Sequence, residues 1–359
     1  MRALIAAGGT GGHIYPGIAV AKEIVRRDPS SVVRFVGTAR GLETRLVPQA
    51  GFELSLIESS GLVNMGLVAR ARGLAVLPKS FAAARRLIRE FGPDIVIGAG
   101  GYVSGPVLLT AALMRRRTLV MESNAVPGFT NRTLARFVDA AAVSFEAASP
   151  YFRGKATVTG NPVRREFFDI PRKPRDPARF SLLIFGGSQG ARAVNLAMVA
   201  ALPHLDAHRD VLRVTHQTGK LDFETVREGY VEAGWSEAAE VREYIDDMMS
   251  AFASADLIVS RAGATTSFEL MAAGKPAIMV PLPGQLEQRR NAEVMQEAGA
   301  ARMILQDALT GKRLAREIAS LVADPDAVTR MEEASRKLAR GDAAAATVDL
   351  IEKLVGAQR

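Results

Sequence analysis

The sequence predicts an α/β protein of two domains, each a parallel sheet covered by helices. Three observations carry that prediction. Its 359 residues exceed what one hydrophobic core ordinarily holds. Short β-branched runs alternate with helix-like segments along the chain. A strand that feeds a glycine-rich turn and then a helix occurs twice, about half the chain apart. The first is Ala3 to Ala7 before Gly8-Gly-Thr-Gly-Gly-His13; the second is Ser181 to Phe185 before Gly186-Gly-Ser-Gln-Gly190.

Taken in order, the apolar runs predict strands at Ala3 to Ala7, Val32 to Val36, Ile95 to Ile97, Thr118 to Met121 and Ala141 to Ser144. The second half adds Leu182 to Phe185, Val211 to Thr215, Leu257 to Val259 and Ala277 to Val280. A helix is expected from Gly17 to Arg27 and another in the tail from Asp342 to Val355. Asp94-Ile-Val-Ile-Gly-Ala-Gly-Gly is echoed by Asp256-Leu-Ile-Val-Ser-Arg-Ala-Gly, each ahead of a helix and an apolar strand, which predicts two similar units. Pro162, Pro171, Pro174 and Pro177 cluster with charge between Asn161 and Arg179 and mark the linker. The expected domains are residues 1–162 and 163–341.

Composition narrows the class. With 48% hydrophobic and 23% charged residues the chain can bury two ordinary cores. It has no cysteine, which excludes disulfides and thiolate metal sites and fits a reducing compartment. The apolar stretch before the first glycines is too short for a signal-peptide core, and no apolar run approaches a membrane span. A soluble, internal protein is expected. Nine basic residues between Asn64 and Arg117 (Arg70, Arg72, Lys79, Arg85, Arg86, Arg89, Arg115, Arg116, Arg117) against Glu90 and Asp94 leave +7 of the chain's net +8 in that segment. Interleaved with Leu67, Val68, Leu74, Val76, Leu77 and Phe81, these cations suit a surface resting on anionic lipid, or alternatively a solvated helix face. Few aromatics are available for base stacking, which argues against nucleic acid.

The glycine turns present bare backbone N–H groups at helix N-termini, a setting for phosphate. Ligands of open α/β sheets bind beyond the carboxyl ends of the strands, so two such domains facing each other would enclose a cleft lined by both turns. A nicotinamide fingerprint fails, because Ile14 stands where its third glycine belongs and the next strand ends Phe35-Val36-Gly37 without an acidic residue. Neither turn continues into Gly-Lys-Ser/Thr, so a P-loop is absent. A nucleotide sugar or another phosphorylated ligand remains. His13, at the mouth of the first turn, is the best general base, with a helix-start role as its alternative. Asp246-Asp247 precedes Met248-Met249 and reads as a helix cap rather than a metal pair; His204 and His208 lack a third ligand.

Six separated motifs resemble one family: Gly8 to His13, Gly100-Gly-Tyr-Val-Ser-Gly-Pro106, Gly160-Asn-Pro-Val-Arg164, Gly186-Gly-Ser-Gln-Gly-Ala-Arg192, Ile245-Asp-Asp-Met248, and Arg261-Ala-Gly-Ala264 through Glu269. They are similar, in order and over Ala6 to about Gly299, to the MurG family of UDP-N-acetylglucosamine:undecaprenyl-pyrophosphoryl-N-acetylmuramoyl-pentapeptide N-acetylglucosaminyltransferases, glycosyltransferase family 28 with the GT-B fold. The resemblance implies an inverting, metal-independent and cofactor-free transfer from UDP-N-acetylglucosamine to the C4 hydroxyl of the muramoyl sugar of lipid I. The products are lipid II and UDP, for peptidoglycan synthesis and so for cell shape and division. It also implies a peripheral location on the cytoplasmic face of the bacterial inner membrane, other cell-wall synthesis proteins as candidate partners, and a tail helix, 342–356, folding back on the N-terminal domain.

Carried over residue by residue, the donor would be held by Gly187, Arg164, Ser188, Tyr244, Ile245, Ala264, Thr265, Thr266, Ser267, Phe268, Glu269 and Gln288, with Thr10, Gly11, Gly12 and Asn124 reaching it from the first half. Glu269 matches the residue that bonds the ribose hydroxyls, Tyr244 and Ile245 the uracil pocket, and Gln288 a glutamine that reads the sugar. The acceptor would meet Gly9, Thr10, Gly11, Gly12, His13, Gly101, Tyr102 and Asn124, with His13 and Glu122 as catalytic residues. Ser188 and Thr265 have helix capping as their alternative role. The chain departs from the family at Met121 and Ser123 in Met121-Glu-Ser-Asn124, at Glu287 beside Gln288, and at Tyr244 in place of phenylalanine. Competing functions are a transferase with another acceptor, a UDP-sugar epimerase on a similar scaffold, and a non-catalytic nucleotide-sugar binder.

Overall fold

A computed structural model describes residues 1–39, 41–59, 67–187 and 189–357, with the backbone alone for 67–75. The chain forms two compact units, Met1–Val163 with Asp342–Arg359, and Arg164–Gly341.

Unit 1 is built on β1 (Arg2–Ala7), β2 (Val32–Gly37), β3 (Glu53–Leu56), β4 (Ile95–Gly100), β5 (Arg117–Glu122), β6 (Ala140–Val143) and β7 (Ala156–Val158). They form one sheet in the order β3-β2-β1-β4-β5-β6-β7, every pair parallel. Its helices are α1 (Gly11–Arg27), α2 (Glu43–Gln49), α3 (Leu67–Phe91), α4 (Ser104–Leu113) and α5 (Phe129–Leu134). Because strand side chains alternate, β1 feeds two cores: Leu4 and Ala6 pack with Ile88, Val96 and Leu108, and Ala3 and Ile5 pack with Ile14, Ile97 and Leu119. Burial on both faces is what turns these central strands into continuous apolar runs.

Unit 2 repeats the plan with β8 (Phe180–Phe185), β9 (Leu212–Gln217), β10 (Ala239–Arg242), β11 (Leu257–Ser260), β12 (Ala277–Met279) and β13 (Ala301–Met303) in the parallel order β10-β9-β8-β11-β12-β13. Its helices are α6 (Arg192–Ala201), α7 (Phe223–Glu232), α8 (Met248–Ser254), α9 (Ala264–Ala273), α10 (Leu286–Glu297), α11 (Gly311–Val322) and α12 (Pro325–Leu338). Trp235 and Tyr230 are buried in its core. The sequence echo has a shared structural task. Asp94 accepts the Arg2 N–H at 2.7 Å ahead of β4, and Asp256 accepts the Ser181 N–H at 2.7 Å ahead of β11, so each pins the first strand of its unit to the neighbouring central strand.

The last helix, α13 (Ala343–Gly356), belongs to unit 1. Val348 and Ile351 enter the core that holds Ile14 and Ile24, and the Arg27 guanidinium meets Asp349 at 2.6 Å and Glu352 at 3.0 Å.

Two sequence expectations need correction. Helix α1 begins at Gly11 rather than Gly17, because the glycine turn itself supplies the first helical turn, and Pro16 lies inside the helix. Strands β3, β7, β10 and β13 were missed for one reason: all four are sheet edges. Edge strands are less buried and carry polar residues such as Glu53, Thr157, Glu240 and Arg302, so no apolar run announces them.

Candidate active site

In unit 1 the neighbouring strands β1 and β4 end in two turns, 8–13 and 100–105, that pack on each other. Gly100 and Gly101 have φ of 114° and 82°, the region that favours glycine. A Cβ on Gly100 would lie 2.3 Å from the His13 ring, and one on Gly101 would lie 2.2 Å from the Gly8 carbonyl oxygen. Ser104, fully buried, ties the pair: its hydroxyl donates to the Ala6 carbonyl at 2.9 Å and accepts the Gly100 N–H at 3.1 Å.

His13 is half-buried in the first turn of α1, with Nδ1 3.3 Å from the Gly8 carbonyl. A carbonyl only accepts, so Nδ1 carries the hydrogen and Nε2 keeps a lone pair. Burial lowers the imidazole pKa, against opposing contributions from the Gly8 carbonyl and the Glu43 carboxylate. The ring is therefore neutral at pH 7 and fit to take a proton. Thr10 is the N-cap of α1 and forms no side-chain capping bond, while the amides of His13 and Ile14 turn to its carbonyl. Gly11 and Gly12 thus offer first-turn N–H groups that have no partner within the helix.

Two of the expected unit 1 site residues, Gly9 and Glu122, are engaged by protein groups. The Gly9 N–H donates to Glu43 Oε2 at 3.0 Å, so it faces protein rather than ligand. Glu122, expected as catalytic, is buried at 3% exposure and accepts four hydrogen bonds. They come from the Asn124 N–H (2.8 Å), Asn124 Nδ2 (3.1 Å), Gly128 N–H (3.2 Å) and Asn131 Nδ2 (2.8 Å). Burial raises its pKa and these donors oppose the rise. These bonds make Glu122 a brace for the 122–131 loop and for Asn124. Tyr102 is 57% exposed on its turn, with its carbonyl accepting from Ser59 at 3.0 Å. Met121 and Ser123 point inward; Ser123 donates to Asn161 at 3.1 Å.

In unit 2 the turns that follow β8, β9, β10 and β11 gather at the carboxyl edge of the sheet. Ser188 lies outside the described residues. Gly187 is held by Gln217, whose Nε2 donates to its carbonyl at 3.0 Å while its Oε1 accepts the Ile245 N–H at 2.9 Å. One buried amide thus ties the 186–190 turn to the segment at Tyr244 and Ile245, in which Ile245 is buried and Tyr244 is exposed. Beneath the turn runs a buried chain: the Tyr230 hydroxyl to His216 Nδ1 (3.2 Å), His216 Nε2 to Asn195 Oδ1 (3.1 Å), and Asn195 Nδ2 to Asp222 (3.0 Å) and the Thr218 carbonyl (2.8 Å). Burial pushes the His216 pKa down to about 3, so this imidazole is a neutral strut.

Helix α9 starts after Gly263 without a side-chain cap, so Ala264, Thr265 and Thr266 present open amides. The Thr265 hydroxyl is buried and has no partner, an orphan at the place where an anion is expected. Ser267 and Phe268 turn into the core instead, Ser267 donating to the Gly263 carbonyl at 3.0 Å. Glu269 lies 3.9 Å from Arg164, which stacks on the Phe167 ring. Burial pushes the Glu269 pKa up to about 7, with Arg164 opposing. Gln288 Oε1 accepts the Leu282 N–H at 3.1 Å, and Glu287 is half-buried beside it. Asp247 caps α8 through the Ser250 N–H, as its sequence context suggests. Among the described residues no group of three or more His, Asp or Glu side chains is placed to hold a metal.

Sequence reasoning missed Glu43 and Gln217. Both are buried polar residues that touch the glycine turns from behind. The crowding of Gly8, Gly37 and Gly41 around the Glu43 carboxylate exists only in the folded chain, so no sequence signal marked it.

On α3, Arg85, Arg86 and Arg89 are exposed while Ala84, Leu87, Ile88 and Phe91 are buried. Arg115 and Arg116 are exposed beside Leu113, which is 72% exposed. The side chains of Arg70, Arg72, Leu67, Val68 and Leu74 lie outside the described residues. No described helix is long and apolar enough to cross a membrane.

Residues 3–143 match the glycosyltransferase family 28 N-terminal domain and residues 181–349 the glycosyltransferase family 28 C-terminal domain. The chain is 47% identical over 359 residues to a protein of Anaeromyxobacter sp. strain Fw109-5, covering 99% of this chain and 94% of that one. That relative is named UDP-N-acetylglucosamine--N-acetylmuramyl-(pentapeptide) pyrophosphoryl-undecaprenol N-acetylglucosamine transferase. A protein of the same name from Citrifermentans bemidjiense is 46% identical, covering 97% of this chain and 98% of that one. The crystal structure of Acinetobacter baumannii MurG superposes with a TM-score of 0.83 at 32% identity, over 98% of this chain and 99% of that one. With two parallel-sheet units that carry their glycine turns at the strand ends and family matches across both, the chain belongs to glycosyltransferase family 28.

Proposed function

We propose that this chain transfers N-acetylglucosamine from UDP-N-acetylglucosamine to the C4 hydroxyl of the muramoyl sugar of lipid I, with inversion, giving lipid II and UDP. The observation that carries the reading is the match along nearly the whole chain to relatives whose name states both substrates. Unit 2 suits the donor. The 186–190 turn and the N-terminus of α9, with its orphan Thr265 hydroxyl, would receive the pyrophosphate, Glu269 the ribose hydroxyls, Tyr244 and Ile245 the uracil, and Gln288 the sugar. Unit 1 suits the acceptor. The amides of Gly11 and Gly12 would receive its pyrophosphate, and Nε2 of His13 would take the C4 hydroxyl proton as that oxygen attacks the anomeric carbon. The bond from that carbon to the β-phosphate oxygen breaks, and its electron pair leaves with UDP.

The exposed cations of α3 and of the turn at Arg115 and Arg116 support docking on the anionic cytoplasmic face of the membrane, where the lipid acceptor resides. Radiolabelled UDP-N-acetylglucosamine and a short-chain lipid I analogue test the reaction. Label is expected in the lipid product, and UDP-N-acetylmannosamine with no lipid labelled would overturn the reading. His13→Ala is expected to lower kcat roughly a hundredfold or more while the KM for UDP-N-acetylglucosamine stays within about twofold. Unchanged kcat removes His13 from the mechanism.

A further inference from the structure

The carbonyl that meets His13 and the amide that meets Glu43 belong to one peptide unit. The Gly8 C=O accepts from His13 Nδ1 at 3.3 Å, and the Gly9 N–H on the other side of the same bond donates to Glu43 Oε2 at 3.0 Å. Glu43 itself is fully buried at the start of α2 and held in place, with Oε1 accepting the Thr38 N–H at 2.8 Å and the Thr38 hydroxyl at 2.9 Å. The two hydrogen bonds hold the peptide at both ends, and the space around it admits no added side chain: a Cβ on Gly101 would meet the Gly8 oxygen and one on Gly8 would lie 2.9 Å from Glu43 Oε1.

We propose that Glu43 is a positioning residue for the transfer, acting on His13 through the Gly8–Gly9 peptide. A carboxylate bonded to the N–H end of a peptide polarises its C=O end, and hydrogen bonds in such a chain strengthen one another. When His13 takes the acceptor proton on Nε2, its Nδ1–H becomes the donor of a cation, and the polarised carbonyl stabilises it. Glu43 thereby does at one remove what a carboxylate bonded directly to a catalytic imidazole does. It also keeps the hydrogen on Nδ1, so that Nε2 is the nitrogen left to act as base. Among the described residues the charge that bears on the ring is that of Glu43 on α2; of the other parts packed against it, the Gly8 turn carries no further titratable side chain and the 100–105 turn carries the exposed Tyr102.

The inference rests on His13 as the base, and its test separates the two ideas. The His13 ring in the full chain is titrated by NMR, and kcat is measured across pH, for wild type, Glu43→Gln, Glu43→Asp, His13→Ala and the Glu43→Gln/His13→Ala pair. Glu43→Gln is expected to lower the His13 midpoint by roughly one pH unit and kcat by roughly tenfold, one unit of basicity being a factor of ten in equilibrium. The donor KM stays constant, Glu43→Asp restores part of both effects, and the pair loses no more kcat than His13→Ala alone. A midpoint that does not move overturns the coupling, as does an additive loss in the pair. If His13→Ala keeps full kcat, the base reading falls and takes the catalytic role of Glu43 with it, whatever the midpoint does. Should Glu43→Gln not fold, Thr38→Val removes a donor from the carboxylate and throws more of its charge onto the Gly9 N–H. The midpoint is then expected to rise, and a fall or no change overturns the coupling.

Discussion

Glu269 places a titratable strain in unit 2 that can be measured without any substrate. Its carboxyl is pushed up to about 7 from an ordinary 4.5, chiefly by burial. The fold therefore disfavours the ionised form, and between those two values the folded protein binds more protons than the unfolded chain. Stability from this group is highest when it is protonated in both states, falls as pH rises through the window, and levels off above the folded value. At 1.36 kcal/mol per unit the full penalty is about 3 kcal/mol, of which about 2.5 kcal/mol develops between about pH 5 and about pH 8. Glutamine is nearly isosteric and does not titrate. Glu269→Gln is therefore expected to gain about 2.5 kcal/mol of unfolding free energy relative to wild type on going from about pH 5 to about pH 8. Urea unfolding followed by the fluorescence of Trp235 reads this directly, because that residue is the chain's one tryptophan and is buried in unit 2. Ribose hydroxyls donating to the carboxylate would favour its ionised form, so the same variant is expected to bind UDP more weakly at the higher pH while being more stable. A difference between the two proteins that stays flat across pH refutes the reasoning.

Other perturbations probe the remaining parts of the two sites. Gly100→Ala drives a methyl into the His13 ring at a positive φ; we expect turnover to fall at least roughly tenfold with the donor KM unchanged, at about 1–3 kcal/mol of backbone strain. Wild-type turnover in that variant would show that the 100–105 turn does not hold the imidazole. Gln217→Leu strands the Gly187 carbonyl and the Ile245 amide, a loss of about 1–3 kcal/mol that should weaken UDP binding roughly tenfold by calorimetry. An unaltered affinity would detach Gln217 from the donor site. Replacing Arg85, Arg86 and Arg89 together with Glu is expected to abolish sedimentation with vesicles containing anionic lipid while sparing UDP binding. Retained sedimentation would return that helix face to ordinary solvation.

What the sequence made legible follows burial. Central strands such as β1 and β4 are covered on both faces and read as unbroken apolar runs, whereas β3, β7, β10 and β13 expose an edge and read as ordinary polar chain. The glycine turns were legible because close approach of backbone to backbone admits few other residues, as Gly101 against Gly8 illustrates. The direction in which a polar side chain points was not legible. Glu122 and Glu43 are both acidic residues near glycines, and only the three-dimensional arrangement turns the first toward Asn124 and Asn131 and sets the second against the Gly8–Gly9 peptide. The same holds for Ser267, whose place between Thr266 and Phe268 says nothing of its bond back to Gly263.

The return of α13 to unit 1 makes residues 164–341 an insertion within a domain that is discontinuous in sequence. Unit 2 is one unbroken stretch of chain and can finish folding as soon as its own residues have been synthesised. Unit 1 cannot, because Val348 and Ile351, which cover Ile14 and Ile24 on α1, are translated only after the whole of unit 2. The apolar flank of α1 must therefore wait, uncovered, while the second unit is made. The cluster of Arg27 with Asp349 and Glu352 then marks where the last segment docks. A contiguous fragment spanning 164–341 has the topology to stand alone, whereas a fragment ending at residue 163 would lack part of its own core.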